Sequence, residues 1–308
     1  MGNKDKNAEK IKEEYDLITE QGQTINNENE AKEYIAEYYE NLYRAREGKP
    51  GTEAWTKKIE ETVKEEVMRI NAIENEPEIT EEEMTRTKKK LKKKKAVGLD
   101  NIPNEVFINA NNKTLNTIRT ILNNTVHNKE IPDEWKEGEI ISIYKGKGTR
   151  GKCSNERGIT LSSNIGKFYE RIICERTKKN VKISDAQGGG KKGSSTTDYI
   201  LMLKEAMNRS KTIYITFLDV TKAYDKAWAD ALLYVINKKG LKNKLWMIVK
   251  KLNEDLKANI KTKYGHTRKI KITDSIRQGG VLSVLLYASM MDEMAVEIQE
   301  KKTRSKHK

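Results

Sequence analysis

Residues 212–228 read TIYITFLDVTKAYDKAW, and the reading of this stretch decides the rest. Its first half alternates β-branched and aromatic residues, Ile213, Tyr214, Ile215, Thr216 and Phe217, which is the composition of a core strand. Asp219 stands where the apolar run gives out, and Asp225 follows six residues later, where the pattern reads as the start of a helix. A carboxylate at the end of a core strand is costly to bury unless a cation or hydrogen-bond donors meet it. Asp219 therefore either caps the turn after the strand or meets a positively charged ligand, and the residues around it have to decide between these.

The composition narrows the classes of partner. Sixty Lys and Arg stand against 46 Asp and Glu in 308 residues, a formal net charge of +14. An excess of that size favours polyanions, nucleic acid first. Amphipathic segments recur along the chain, so its low apolar share, 36%, predicts a thin core with a wet surface and not a disordered chain. No stretch approaches the ~18 apolar residues of a membrane span. The N-terminal MGNKDKNAEKIKEE lacks the apolar run of a secretory signal, which predicts an intracellular protein, nuclear or cytoplasmic. Two cysteines, Cys153 and Cys174, fit a reducing compartment, and the scattered histidines, His127 and His266 among them, form no zinc pattern.

Outward from the opening stretch, the chain up to about residue 75 reads as polar helices. Ala31, Tyr34, Ile35, Tyr38, Tyr39, Leu42 and Tyr43 make one helical stripe, which at this spacing faces a core or partner more often than it stacks on bases. Gly48-Lys49-Pro50-Gly51 breaks the pattern, and Ile59, Val63, Val67 and Ile70 mark a second helix. Thr80 with Glu83 is a capping box, and Lys88 to Lys95 close the helix it opens. That lysine run suits a solvated face, a phosphate contact or an import signal equally. Glu139–Tyr144 reads as a strand followed by a basic, glycine-rich loop. Gly146 to Lys152 fits G-x-x-x-x-G-K, but the next residue is Cys153, where a P-loop needs a hydroxyl for magnesium, and a basic hairpin tip is the better account. Gly188–Gly193 is a glycine-rich loop closed by Ser194–Asp198 as a helix cap; residues 258–272 read as a hairpin, and Arg277-Gln278-Gly279-Gly280 leads into a last helix.

In series these pieces resemble the reverse transcriptase of non-LTR (LINE-type) retrotransposons, over roughly residues 80–300. Phe217–Asp225 looks like that family's first catalytic palm motif, and Arg277-Gln278-Gly279-Gly280-Val281-Leu282-Ser283 like its second. Ala96–Glu105 is similar to the GPDGIPNE segment at the start of the fingers. Glu134–Gly148 and Asn155–Leu161 resemble the finger strands and their basic tip, and Gln187–Asp198 the Q-x-GFR-x-G-x-STTD stretch. The tyrosine-rich N-terminal helix looks like the connector that follows the endonuclease in such elements.

The resemblance implies an α+β fold: right-hand polymerase fingers and a partial palm of antiparallel strands backed by helices, preceded by a helical connector. It divides the chain into a connector at 1–78, fingers at 79–211 and a partial palm at 212–308. The implied activity is RNA-directed DNA synthesis, with an RNA template, a DNA primer and deoxynucleoside triphosphates as partners. Two magnesium or manganese ions, held roughly 3.5–4 Å apart by carboxylates, would do the nucleotidyl transfer. Asp219 is implied as catalytic metal ligand, with the backbone carbonyl of Val220 beside it, and Asp225 as support for the turn. Tyr224 would lie under the incoming sugar. Arg277, Gln278 and Gly279 would position nucleotide and template, and Lys145, Arg157 and Lys191 would meet phosphates.

The sequence departs from the family at several points. No aromatic-Ala-Asp-Asp turn, the third palm motif, follows Arg277, and Trp228-Ala229-Asp230-Ala231 is only an echo of it inside a helix. Val284, Gly158 and Ser142 stand where the family has prolines, and Gly190 where it has an aromatic. The expectation is an incomplete two-ion site in a truncated, inactive polymerase domain whose strand at Asp219 is a raw, aggregation-prone edge. The alternative is a non-catalytic, basic nucleic-acid-binding remnant.

Overall fold

The computed structural model describes residues 16–44, 51–70, 76–128, 130–191, 193–209 and 211–305, with backbone alone at 301–305. The N-terminal polar stretch up to residue 15, the break at Gly48–Pro50 and the end of the basic tail lie outside the described residues. Two short strands, β1 (Leu17–Ile18) and β2 (Thr24–Ile25), pair antiparallel ahead of helices α1 (Glu28–Tyr43) and α2 (Glu53–Ile70). Next come α3 (Glu81–Lys89), α4 (Asn104–Asn109), α5 (Asn112–Asn128), the single turn α6 (Asp133–Lys136) and strand β3 (Glu137–Tyr144). Strand β4 (Glu156–Ser162), α7 (Asn164–Asn180) and α8 (Thr196–Arg209) precede the stretch around Asp219. After it lie α9 (Ala229–Lys238), α10 (Asn243–Leu252), β5 (Leu256–Thr262), β6 (Gly265–His266), β7 (Ile270–Ile272) and α11 (Ser283–Ser305).

Strands β3 to β7 form one mixed sheet. The β3–β4 hairpin is antiparallel, with Ile140 opposite Thr160, and its tip is the basic glycine-rich loop. No helix follows Lys152; the chain enters one 3₁₀ turn at Cys153–Asn155 and then β4, which is hairpin and not P-loop geometry. Strand β5 runs parallel to β3, Ile140 opposite Ile260, and pairs antiparallel with β6 and β7. The sheet is therefore not purely antiparallel, as the resemblance implied, and it joins strands from both sides of residue 211.

One face of the sheet is covered by α1. Tyr39 and Tyr43 of the stripe are buried against Ile140, Ala258, Ile260 and Ile270, so the tyrosines are core. The Tyr39 hydroxyl and Ser142 Oγ share a hydrogen bond of 2.6 Å. A β-carbon at Gly158 would stand 2.9 Å from the Tyr39 ring, so glycine there lets the helix seat on β4. The main core is helical, with α2, α5, α7, α9 and α10 packing around a fully buried Trp246. The Trp246 indole N–H donates to Leu233 O at 2.9 Å.

Two polar anchors fix the two ends of α7. Asp100, in the loop predicted to start the fingers, accepts from Ser163 Oγ and Asn164 N at 2.8 and 2.7 Å, and so caps α7 where it leaves β4. Arg176, at the far end of α7, donates to both carboxylate oxygens of Glu83 and to the carbonyls of Pro77 and Glu78. The capping box of Thr80 and Glu83 forms as expected, but α3 stops at Lys89 and the remaining lysines continue as loop.

The opening stretch corrects the sequence reading. Residues 212–220 form no strand, because among the described residues no neighbouring strand supplies the hydrogen-bond ladder. Tyr214, Phe217 and Leu218 are left 94%, 83% and 74% exposed. Helix α8 before it buries none of its residues, with Ile200, Leu201 and Met202 all exposed. Asp225 lies in a turn, and α9 begins only at Ala229. Helix α10 ends at Leu252, and Leu256 opens β5.

Two outcomes follow for stability and solubility. Arg176→Ala leaves the half-buried Glu83 carboxylate with only the Thr80 N–H and should lower the unfolding free energy by about 1.5–3 kcal/mol in urea titration. Contiguous exposed apolar surface drives association, so a Tyr214→Lys, Phe217→Lys double variant should stay monomeric in sedimentation at concentrations where wild type associates. Equal association of both would clear this segment of the role.

Candidate active site

The residues singled out in the sequence separate into two groups. Around the turn at 221–226 the structure gathers Asp225, Lys222, Lys145 and Arg157. Lys145 and Arg157 arrive from the two strands of the β3–β4 hairpin, at its basic end. Lys145 Nζ is held by the carbonyl of Ser154 at 2.8 Å, which ties it across the loop. The Asp225 carboxyl is pushed above the ordinary carboxylate value by burial, while Lys222, Lys145 and Arg157 pull it back down. One carboxylate thus sits inside the reach of three cations.

The turn itself is fixed from two sides. Tyr224 O accepts from Ile276 N at 3.0 Å, and Lys226 N donates to Lys222 O at 3.0 Å. Asp274 caps α9 by accepting from Ala229 N at 2.8 Å, while its own N–H donates to Tyr43 O at the end of α1. Burial of α1's tyrosines against the sheet therefore sets the position of the turn.

Asp219 lies outside this cluster. It is exposed, as is Val220, and it acts on Tyr287, whose hydroxyl is pushed up by burial, then by Tyr224 and Asp219. Tyr224 and Tyr287 stack with ring centroids 5.0 Å apart and planes 27° from parallel. Among the described residues, no three His, Cys, Asp or Glu side chains gather closely enough to hold a metal ion. The described residues thus do not fit a two-ion centre: Asp219 stands alone, and Asp225 faces cations.

The second motif plays two parts. Arg277 is buried, and its guanidinium donates to the carbonyls of Trp135 and Leu252 at 3.0 and 3.1 Å. Those bonds join α6 to the end of α10, so the side chain points into the scaffold. Gln278 O accepts from Thr160 N at 2.8 Å and holds the loop along the outer edge of β4. Gly279 has φ +122°, and a β-carbon there would meet Thr160 O at 2.7 Å, so glycine is required for that approach. Glu170, buried on α7, accepts from Leu282 N at 2.8 Å and fixes the entry to α11. Lys191 is apart from the Asp225 group: it pairs with Asp185 at 2.5 Å and lines a cavity of about 720 Å³ between α7 and α11.

Three residues at the site were not singled out from the sequence: Lys222, Tyr38 and Tyr287. Lys222 sits within the first palm motif, and its left-handed backbone, φ +53°, has no signature in a lysine codon. Tyr38 carried a signal only as one member of the stripe, and Tyr287 only as an aromatic one turn into the last helix.

Residues 143–307, more than half of the chain, match the family described as reverse transcriptase (RNA-dependent DNA polymerase). The chain is 29% identical over 225 residues to an RNA-directed DNA polymerase from the mobile element jockey of Drosophila melanogaster, covering 70% of this chain and 24% of that protein. It is 26% identical over 216 residues to a probable RNA-directed DNA polymerase from transposon BS of the same fly, covering 67% and 24%. A Pol polyprotein from the type-1 retrotransposable element R2 of Popillia japonica is 26% identical over 174 residues, covering 55% and 24%. The chain belongs to the reverse transcriptase family, in its non-LTR retrotransposon branch. It spans about a quarter of the length of the curated relatives it matches.

A pH test reads the Asp225 environment. Because burial raises the folded-state value, stability contributed by the protonated carboxyl is complete below the ordinary 3.8 and is lost as pH rises through the raised value. Asp225→Asn, which keeps the shape without the charge, should therefore be more stable than wild type in urea at pH 7. The two should converge near pH 3.8. A wild type more stable than the variant at pH 7 would mean that the three cations outweigh burial.

Proposed function

We propose that this chain is the fingers and part of the palm of an RNA-directed DNA polymerase. In this reading, α3 to α8 with the β3–β4 hairpin are fingers, the segment from residue 212 is palm, and α1 with α2 belongs to the connector. The carrying observation is the convergence of Lys145 and Arg157, from the hairpin, on the turn that follows Asp219. In the sequence these residues are more than sixty positions from that turn, and a nucleotide site would need them together.

The residues divide the work by chemistry. Lys145 and Arg157 present cations to the phosphates of a deoxynucleoside triphosphate; guanidinium adds planar, paired donors where ammonium adds a point charge. Tyr224, held by its stack on Tyr287, puts a ring beneath the incoming sugar, and the bulk there disfavours a 2′-hydroxyl. The Gln278–Gly280 loop, seated on the edge of β4, lies where the template base would rest, and Arg277 acts by holding that loop. Asp219 supplies one carboxylate for magnesium or manganese, which would activate the primer hydroxyl and steady the leaving pyrophosphate. Since the described carboxylates do not complete such a centre, this chain binds an RNA template and DNA primer but does not by itself join nucleotides.

Binding and synthesis are read separately. Purified chain should retain an RNA–DNA template-primer on filters, with affinity falling steeply between roughly 50 and 200 mM salt. Replacing Lys145 and Arg157 together with alanine should leave that salt dependence largely in place and weaken binding of a deoxynucleoside triphosphate instead. Primer extension should be absent with either metal. Salt-insensitive binding would remove the phosphate-contact reading, and robust extension by the chain would overturn the incomplete centre.

A further inference from the structure

The turn after Asp219 holds a charge to which the family motifs assign no task. Lys222 occupies the left-handed backbone region, φ +53°, a conformation that costs a residue with a β-carbon about 1 kcal/mol or more. Its ammonium is half-buried, donates to the Tyr38 hydroxyl at 2.7 Å and lies 5.0 Å over the centroid of the same ring. A lysine on a free surface would swing away from another cation. Here burial lowers the Lys222 ammonium and Lys145 presses it down further, with Asp225 opposing. Lys222, Lys145 and Arg157 are thus gathered around Asp225, with Lys226 and Glu20 also acting on Lys222, and the group retains a net positive charge.

Tyr38 is suited to enforce this. It stands on α1, next to Tyr39, whose hydroxyl bonds Ser142 on β3 at 2.6 Å. Further along α1, the carbonyl of Tyr43 accepts from Thr273 and Asp274 at 3.2 and 3.0 Å. The helix is tied both to the hairpin that brings Lys145 and to the segment that leads to Arg277. A ring and hydroxyl fixed on such a frame hold a flexible side chain through a cation–π contact and a hydrogen bond.

We propose that Lys222 is a third phosphate-holding cation of the nucleotide site, and that Tyr38 is its positioning residue. The ligand is the triphosphate of a nucleoside triphosphate. A group of cations that outnumbers its carboxylates, Asp225 and Glu20, complements a compact polyanion, whereas one phosphate of a nucleic-acid strand would leave most of that charge unmatched. The inference rests on the reading of Lys145 and Arg157 as nucleotide contacts. It extends the site to the N-terminal helix.

The test is equilibrium binding of radiolabelled dTTP to the full chain in metal-free buffer, with inorganic tripolyphosphate as competitor. Wild type should bind dTTP, and tripolyphosphate should displace it. Removing one charge-assisted hydrogen bond, Lys222→Ala, should weaken binding by about tenfold, and Lys222→Arg should restore most of it. Tyr38→Phe keeps the ring and the packing, and should weaken binding by roughly threefold, the scale of one neutral hydrogen bond. The same Tyr38→Phe change made on top of Lys222→Ala should do nothing further, which a purely structural role would not produce. Arg157→Ala weakening binding while Lys222→Ala leaves it intact would overturn the inference and spare the nucleotide site. Equal effects of Tyr38→Phe with and without Lys222 would sink the positioning role. Failure of wild type to bind either dTTP or tripolyphosphate would overturn the site and the inference together.

Discussion

The parallel pairing of β3 with β5 is the constraint on which the remaining geometry depends. It sets Ile140 opposite Ile260, residues separated by more than a hundred positions, and closes a loop that contains α7, α8, the turn at Asp225, α9 and α10. A parallel pair cannot be closed by a tight turn and needs such a crossover. Once formed, it makes a single platform of the finger hairpin and the strands that lead to Arg277. Helix α1 then has one apolar surface to cover, and its tyrosines cover it. Where Gly158 lacks a side chain the helix sinks closest, and Tyr38 comes to face the turn.

Charge is distributed around this platform in two ways. Arg176 and Arg277 are buried cations whose donors are consumed by carboxylates or carbonyls, so they serve the scaffold. Lys145 and Arg157 are exposed, and the turn brings Lys222 to them with Asp225 as a shared counter-ion. A buried cation with saturated donors has nothing left for a ligand. Cations at a surface, held close by a half-buried carboxylate, remain open to a stronger anion. The distinction lies in how many donors are already satisfied, and it assigns the two arginines of the motifs opposite duties: Arg157 faces outward and Arg277 inward.

How much of this was legible in the sequence follows the same physics. Local signals were sufficient where the cause is local: the capping box at Thr80 and Glu83, the tyrosine stripe, the hairpin around the glycine-rich tip, and the last helix after Gly280 all appear where their residues place them. The helix end at Lys89 was overrun because the lysine pattern continues beyond it. The strand expected at 212–219 failed for a different reason. Alternation specifies which faces a strand would present, but a strand exists only with a neighbour, and composition carries no record of one. The inward aim of Arg277 and the hydrogen bond between Tyr38 and Lys222 span 142 and 184 positions. No window of sequence contains both partners.

The opening stretch now has two unlike halves. From Lys222 to Asp225 the chain is clasped by α1, by the hairpin and by Ile276, and its carboxylate is partly desolvated among cations. From Thr212 to Val220 it is irregular and exposed, and Asp219 ends that half in water. Desolvating Asp219 without a cation beside it would be costly, and Lys222, Lys145 and Arg157 are gathered around Asp225 instead. Exposure is therefore the low-energy state for an unpaired carboxylate, and the apolar run before it is exposed because it has no strand to pair with. The two facts have one cause: the half of the motif that recognises charge is built from side chains this fold supplies, whereas the half that would carry the metal depends on a ladder and on further carboxylates that its described residues do not bring to it.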